Sequence, residues 1–295
     1  MLCSVCIATY KRPEWLYQLL RSLAAQQLPA GVELEVIVVD NDPDRSARGV
    51  AESQQPISVR YSVQPIKNIS LTRNAAVQDA RGDYLLFIDD DEVADPVWIT
   101  TLLETRERFD ADGVFGRVVP RFHPNAPAWL QRHAFYHKPC QPTGMPARGM
   151  RTANCLIRAD LLRGLDGPFD EGFGLTGGED THLFERLRKK GARFVDCREA
   201  VVTEEVPLER ATPAWVRARA RRTGTLFSRR RVVLAGGGLP VRIRYGILAG
   251  SQFLVAVVLS AGCFWSRFWR LHWMAKALFN LGRIEGLAGR MRVGY

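Results

Sequence analysis

Gly82-Asp83-Tyr84-Leu85-Leu86-Phe87-Ile88-Asp89-Asp90-Asp91-Glu92 decides how this chain is read. Residues 84–88 are an unbroken apolar run, bounded by Gly82 before it and by four acids after it. Such a run reads as a strand buried on both faces of a parallel sheet, although a short buried helix has the same pattern. Carboxylates crowded at the carboxyl end of a strand repel one another unless a cation sits among them, and open α/β sheets bind ligands at that edge. Oxygen ligands suit Mg²⁺ or Mn²⁺, which complete their shells with water and substrate phosphates. A solvated acidic turn would carry the same letters, so the flanking chain has to decide.

Upstream, residues 2–8 read as a first buried strand running into Thr9-Tyr10-Lys11-Arg12-Pro13. Pro13 suits the first turn of a helix whose Trp15, Leu16, Leu19, Leu20 and Leu23 recur at 3.6 spacing. A second strand over 35–39 stops at Asp40-Asn41-Asp42-Pro43, again an acid at a strand's carboxyl end, and residues 57–63 make a third. Residues 71–80 predict a short helix with Gly82 as its C′ cap. Downstream, a helix over 96–109 has Asp95 as its N-cap, and residues 113–119 form a strand. Six prolines then break residues 120–148, which also hold Trp129 and a His133/His137 pair four apart. A loop this long inside a domain is usually functional, and an acceptor-facing loop or lid fits better than a metal pair outside a helix. A strand over 151–158 leads to Thr176-Gly177-Gly178-Glu179-Asp180 and a helix over 180–190. Acids there complement the helix dipole, while two glycines let backbone and ligand approach closely. Short strands at 194–195 and 200–202 complete an alternation that predicts a doubly wound α/β sheet.

The net charge of +10 is unevenly spread. Residues 205–295 carry sixteen Lys and Arg against three acids, so the first 204 residues are close to neutral. A near-neutral body joined to a basic, hydrophobic last third predicts a catalytic unit on an anionic surface, membrane or nucleic acid. The six cysteines (3, 6, 140, 155, 197, 263) are too scattered for a disulfide framework. Cys3 and Cys6 sit three apart on a strand, hence on opposite faces, and read as small core residues in a reducing compartment. Met1 leads directly into the first strand, so no signal peptide is expected.

Five segments together resemble the family 2 glycosyltransferases of GT-A fold, and bacterial succinoglycan-type exopolysaccharide glucosyltransferases in particular. They are Ile-Ala-Thr-Tyr-Lys-Arg-Pro at 7–13, Val-Ile-Val-Val-Asp-Asn at 36–41, Leu-Thr-Arg-Asn at 71–74, Phe-Ile-Asp-Asp-Asp-Glu at 87–92 and Gly-Gly-Glu-Asp at 177–180. The resemblance covers roughly residues 2–225 and implies inverting transfer of one sugar from a nucleotide diphosphate, with Mn²⁺ or Mg²⁺. It implies that Thr9, Tyr10 and Arg12 grip the nucleoside, that Asp40 takes the base imide N–H, and that Arg73 meets the donor phosphates. The D-x-D motif falls on Asp89 and Asp91, with Asp91 the direct metal ligand, Asp89 nearer the ribose and Asp90 beside them in the donor site. Asp180, with Glu179 next to it, takes the place of the catalytic base. Many relatives place a histidine after the base helix; here the region reads Val202-Thr203-Glu204-Glu205-Val206-Pro207, leaving Glu204 or water to finish the metal shell.

The expected organisation is a GT-A domain over 1–210, an arginine-rich helix over 211–235 and hydrophobic helices over 236–295. Seven arginines between 214 and 231 suit a solvated helix face, a lipid-carrier phosphate, anionic headgroups or the donor diphosphate. Trp129, Arg217, Arg221 and Arg222 are candidates for acceptor or lipid phosphate. Residues 246–266 carry no charge and are long enough to span a bilayer. Basic residues on both sides (242, 244, 267, 270, 276, 283, 290, 292) favour an interfacial helical pair instead, with Trp265, Trp269 and Trp273 at headgroup level. A true span, a soluble cap and a dimer interface stay open. The whole predicts an enzyme on the cytoplasmic face of the inner membrane, moving a hexose from UDP-glucose to a lipid-linked oligosaccharide, without nucleic acid as a partner. The alternative is a catalytically silent α/β scaffold that binds nucleic acid or anionic lipid through its arginines.

Overall fold

The computed structural model of the chain describes residues 1–53, 57–234 and 236–290. Residues 235 and 291–295 of the expected C-terminal parts, Arg292 among them, lie outside the described residues. In chain order the elements are β1 (Leu2–Thr9), α1 (Pro13–Ala24), β2 (Glu33–Asp40), α2 (Arg48–Ala51), β3 (Val59–Val63), α3 (Ile69–Asp79), β4 (Tyr84–Phe87), β5 (Glu92–Ala94) and α4 (Trp98–Arg108). There follow β6 (Gly113–Phe122), α5 (Ala128–Gln131), β7 (Cys155–Arg158), α6 (Asp160–Arg163), α7 (Glu179–Lys189), β8 (Phe194–Val206), α8 (Pro213–Leu234), α9 (Leu239–Gly262) and α10 (Arg267–Leu287).

The strands form one sheet of order β3-β2-β1-β4-β7-β6-β8-β5. β3, β2, β1 and β4 are mutually parallel, whereas β7 is antiparallel to both β4 and β6. The chain winds outward from β1 through β2 to β3, then returns to place β4 on the other side of β1. This reversal opens a crevice at the carboxyl ends of β1 and β4, where such sheets hold ligands. Phe87 lies beside Cys6 in the ladder, so the acids after β4 emerge next to Thr9 and Tyr10.

Each face of the sheet has its own core, as the apolar runs of β1, β2 and β4 require. Leu16, Leu19, Leu20 and Leu23 of α1 and Trp98, Ile99 and Leu102 of α4 cover one face. Ala76 and Val77 of α3 and Leu183, Phe184 and Leu187 of α7 cover the other. Cys3 belongs to the first core and Cys6 to the second, and all six cysteines are free. A third cluster joins the proline-rich segment to the C-terminal helices through Leu130, Tyr136, Val216, Ala220, Leu271 and Ala275.

Several expectations change in detail. Gly82 is no C′ cap: a Cβ there would lie 2.6 Å from Ser4 Oγ and 2.7 Å from its backbone nitrogen, so close approach of the chain to β1 excludes a side chain. The helix expected from 96 begins at Trp98 behind an N-cap at Val97, and Asp95 instead accepts a bond from the Val97 N–H at 3.2 Å. The strand expected from 151 begins at Cys155, because Asn154 is left-handed (φ 61°) and turns the preceding residues out of the ladder. Asn154 is buried and holds that turn by donating to the Arg117 and Ala200 carbonyls and accepting from Trp98 Nε1. The two short strands near 194–202 are one continuous β8, with an irregularity opposite Gly116 and Arg117.

α8 and α10 meet through glycines. A Cβ on Gly224 would run into the Phe279 carbonyl oxygen, and one on Gly282 into that of Arg221. The Gly224→Ala and Gly282→Ala proteins should therefore each lose at least about 1–3 kcal/mol, the usual penalty of overpacking. Denaturant unfolding is the check, and an unchanged midpoint in both would contradict the close packing of these helices.

Candidate active site

The crevice at the β1/β4 reversal widens into a cavity of about 650 Å³. Its floor is Ala8 to Tyr10 at the carboxyl end of β1 and Asp89 to Asp91 after β4; Gly177 to Thr181 at the start of α7 form one wall, and α8 the roof. Gly177 (φ 86°) and Gly178 (φ 92°) are left-handed, and a Cβ on either would meet nothing nearer than 3.8 Å. Backbone conformation rather than close approach thus demands glycine there, and the turn aims the first residues of α7 at the cavity. Arg229 fastens the roof over this turn by donating to Thr176 Oγ1 at 2.9 Å and to the Gly172 carbonyl at 2.6 Å.

Each acid of the cluster is held by cations. Asp90, buried, accepts from Thr9 Oγ1 at 2.9 Å and from Arg12 Nη1 at 2.9 Å. Asp91 lies 3.3 Å from both Arg12 and Arg210, whose guanidinium groups also sit over the Trp15 ring. Asp89 is 3.2 Å from Arg73, which also pairs with the buried Glu179. Lys138, from the proline-rich segment, lies 2.7 Å from Glu204 and 3.6 Å from Glu92, residues that face each other across β5 and β8. Burial, then the charges of Asp89, Asp90 and Glu204, push the Asp91 carboxyl up to about 6. Burial likewise raises Glu179 to about 7 against the pull of Arg73. Asp180 is half-buried in the cavity wall and accepts from the Thr181 N–H at 2.5 Å and from Thr181 Oγ1 at 3.2 Å. Burial lowers Arg151, and Asp180 is the carboxylate that most opposes this.

The structure thus brings Thr9, Tyr10, Arg12, Arg73, Asp89, Asp90, Asp91, Glu179, Asp180 and Arg222 to one cavity. Asp40 is placed elsewhere. It is wholly buried and accepts from the Asp42 and Ala47 N–H groups and from Tyr61 Oη, so its carboxylate shapes the loop after β2. Arg221 turns the opposite way, pairing with Glu285 of α10, while Trp129 and Arg217 line a separate cavity. His133 and His137 form no metal pair: His133 is buried against Phe135, and His137 Nε2 contacts the Gln131 carbonyl oxygen. Sequence reasoning missed Lys138, Arg151, Arg210 and Arg219 in the cavity. The spacing of Arg219, Arg222, Leu226 and Arg230 along one face of α8 was the signal available for the roof.

A sheet reversal carrying acids, guanidinium groups and a lone half-buried carboxylate at a helix start is the build of a glycosyltransferase. The family model described as "Glycosyl transferase family 2" matches residues 4–163, and the chain belongs to that family. It is 36% identical over 288 residues to the succinoglycan biosynthesis protein ExoM of Rhizobium meliloti (strain 1021), covering 96% of this chain and 92% of ExoM. It is 29% identical to a glucosyl-dolichyl phosphate glucuronosyltransferase of Haloferax volcanii, over 68% of this chain and 62% of that protein. Among solved structures, a mannosyltransferase from Pyrobaculum calidifontis in complex with GDP-Man and Mn²⁺ superposes with TM-score 0.63 at 17% identity, over 98% of this chain and 87% of that one. S. aureus TarS 1–349 in complex with UDP gives TM-score 0.54 at 18% identity, over 98% and 92%. The fold is GT-A and the chain is an enzyme of glycosyl transfer.

Arg73 is the only cation within ion-pair distance of Glu179 among the described residues, and Glu179 Oε2 has no hydrogen-bond partner there. Removing Arg73 as Arg73→Met should destabilise the fold increasingly as pH rises above about 7, by up to about 3–5 kcal/mol, because the buried Glu179 carboxyl must then either hold a proton or stay charged without a partner. Adding Glu179→Gln should restore much of that loss. Chemical denaturation of the three proteins checks it, and equal stability of the single and double variants would contradict the pairing.

Proposed function

We propose that the chain moves a hexose, glucose, from a UDP-sugar to a lipid-linked oligosaccharide of a surface polysaccharide, with inversion and on the cytoplasmic face of the membrane. The observation that carries this is that Asp89 and Asp91, at the β1/β4 reversal, line one cavity together with Asp180. Similarity to a succinoglycan biosynthesis protein over nearly the whole chain supports the polysaccharide context. The nucleotide complexes of the TarS and mannosyltransferase structures support a nucleotide-sugar donor.

A divalent ion fits the residues present. Three carboxylates crowd one corner, and burial, followed by its acidic neighbours, raises Asp91 in spite of Arg12. Among the described residues no three potential ligands gather closely enough to hold an ion alone. Mg²⁺ and Mn²⁺ commonly bind through one or two carboxylates with substrate phosphates completing the shell. Asp91 and Asp89 would supply those carboxylates, and Glu204, held by Lys138 and lining the same cavity, is a further acid within that site. When bound, the ion would stabilise the charge that develops on the departing nucleotide diphosphate.

The chain's own residues divide the remaining tasks. Thr9 and Arg12 fix Asp90 and so the turn that presents Asp89 and Asp91. Arg73, positioned by Glu179, points a guanidinium at the diphosphate position, and Arg210, Arg219 and Arg222 add positive charge from the roof side. Asp180 takes the proton from the attacking hydroxyl on the face away from the leaving group. One such base and a single displacement invert the anomeric centre, with no covalent intermediate. Glu179 is buried against Arg73, so its part is positioning rather than proton transfer. Against the nucleic-acid alternative, α8 divides its arginines between the cavity and α10 and does not present them as one exposed stripe.

Purified enzyme should release UDP from UDP-glucose in the presence of Mn²⁺ or Mg²⁺, and EDTA should abolish this. Asp180→Asn should lower transfer about 10²–10⁴-fold with donor binding retained, the usual worth of a general base. A variant with unchanged turnover would remove Asp180 from the role. Hydrolysis of a different sugar nucleotide in preference to UDP-glucose would correct the donor.

A further inference from the structure

Outside the active site, a cavity of about 260 Å³ lies between the proline-rich segment, α8 and the start of α10. Arg217, Arg267 and Arg270 wall it, with Trp129, Leu271 and Met274 as its apolar lining. None of the three arginines forms an ion pair among the described residues; Arg217 Nη1 contacts only the Met274 sulfur, at 3.9 Å. The three are exposed arginines set around an apolar base, and together they offer an anion several donors. Guanidinium suits phosphate, and the N-terminus of α10, where Arg267 is the first residue, adds its dipole.

The surroundings select the kind of anion. Next to this cavity the α9–α10 turn exposes Phe264 (76%) and Trp265 (72%), and the last turns of α9 expose Val255 and Val258. α9 is, among the described residues, the one helix long and apolar enough to cross a membrane, with mean hydropathy 1.6. It does not stand free to do so. Arg242 Nη1 donates to the Leu287 carbonyl at 3.1 Å, Arg283 Nη1 to Gln252 Oε1 at 2.6 Å and Ser260 Oγ to the Arg270 carbonyl at 3.2 Å, which ties α9 to α10 along its whole length. α10 is in turn locked to the catalytic body through Gly224 and Gly282. A crossing α9 would draw Arg270, Lys276, Arg283 and Glu285 into hydrocarbon, whereas an α9 lying in the interface leaves them at headgroup level or above it.

We propose that the cavity of Arg217, Arg267 and Arg270 binds the phosphate of an anionic phospholipid, and that α9 and the α9–α10 turn beside it lie in the plane of the bilayer surface. The apolar residues enter the headgroup boundary, and the arginines meet the phosphates there. α8 then serves two surfaces: Arg217 faces the lipid cavity, while Arg219, two residues on and on the other side of the helix, faces the active site. The proposal rests on the membrane-surface reading above and is independent of the transfer chemistry.

The test is co-flotation of the full chain with vesicles of phosphatidylcholine alone or mixed with phosphatidylglycerol, comparing wild type with Arg267→Gln/Arg270→Gln. UDP release from UDP-glucose in detergent is followed in parallel, to separate a lipid defect from a failed active site. Wild type should prefer the anionic vesicles, and the double variant should bind them about thirtyfold more weakly, at roughly fivefold per arginine. Its UDP release in detergent should be unchanged. Val255→Asp/Val258→Asp should weaken binding to both vesicle types. Equal binding of wild type and the arginine variant to anionic vesicles overturns the proposal, even where the variant raises KM for a lipid-linked acceptor, which would give the cavity to the acceptor. A stable dimer that binds neither vesicle also overturns it, since the α9 face would then be covered by a second copy.

Discussion

Like-charge repulsion at the end of β4 is the constraint around which this molecule is arranged. Asp89, Asp90, Asp91 and Glu92 emerge together from a buried strand, and a fold can keep them there only by surrounding them with cations. It does so from four directions: Arg12 after β1, Arg73 on α3, Lys138 from the proline-rich segment and Arg210 ahead of α8. These long-range ion pairs tie distant parts of the chain to one point. Burial, with the neighbouring acids behind it, still holds Asp91 above the usual carboxylate range, and Asp90 and Glu92 are raised with it.

The C-terminal third follows from the same arrangement. α8 closes the cavity with Arg219, Arg222 and Arg230 on one side and packs against α10 through Arg221, Gly224 and Thr225 on the other. Arg230 also pairs with Glu185 of α7, which links the roof to the helix that carries Asp180 in its first turn. A catalytic wall and a helical platform therefore share one element.

The alternation of strands and helices, and hence the sheet with its reversal, was legible because buried strands have no room for polar residues and amphipathic helices repeat at 3.6. The acids at strand and helix ends were legible too, since clusters of like charge are improbable without a purpose. What was not legible were the partners of those acids. Lys138 and Arg210 lie in segments without regular periodicity, and only the folded path of the chain shows where their side chains end. Asp40 shows the converse: a strand-end acid that looks like Asp89 in sequence but is absorbed by the N–H groups of its own loop. The arginine run divides in the same way. Residues 217 and 221 face α10 and residues 219 and 222 face the cavity, a division that needs the helix's orientation and not just its sequence.

The most direct test is the anomalous scattering of Mn²⁺ in crystals grown with a nucleoside diphosphate. A single strong peak between the carboxylates of Asp89 and Asp91, with the diphosphate against it and Arg73 in contact, is the result expected. An ion bound elsewhere, or a nucleotide lying away from the β1/β4 reversal, would contradict the assignment of that corner as the donor site.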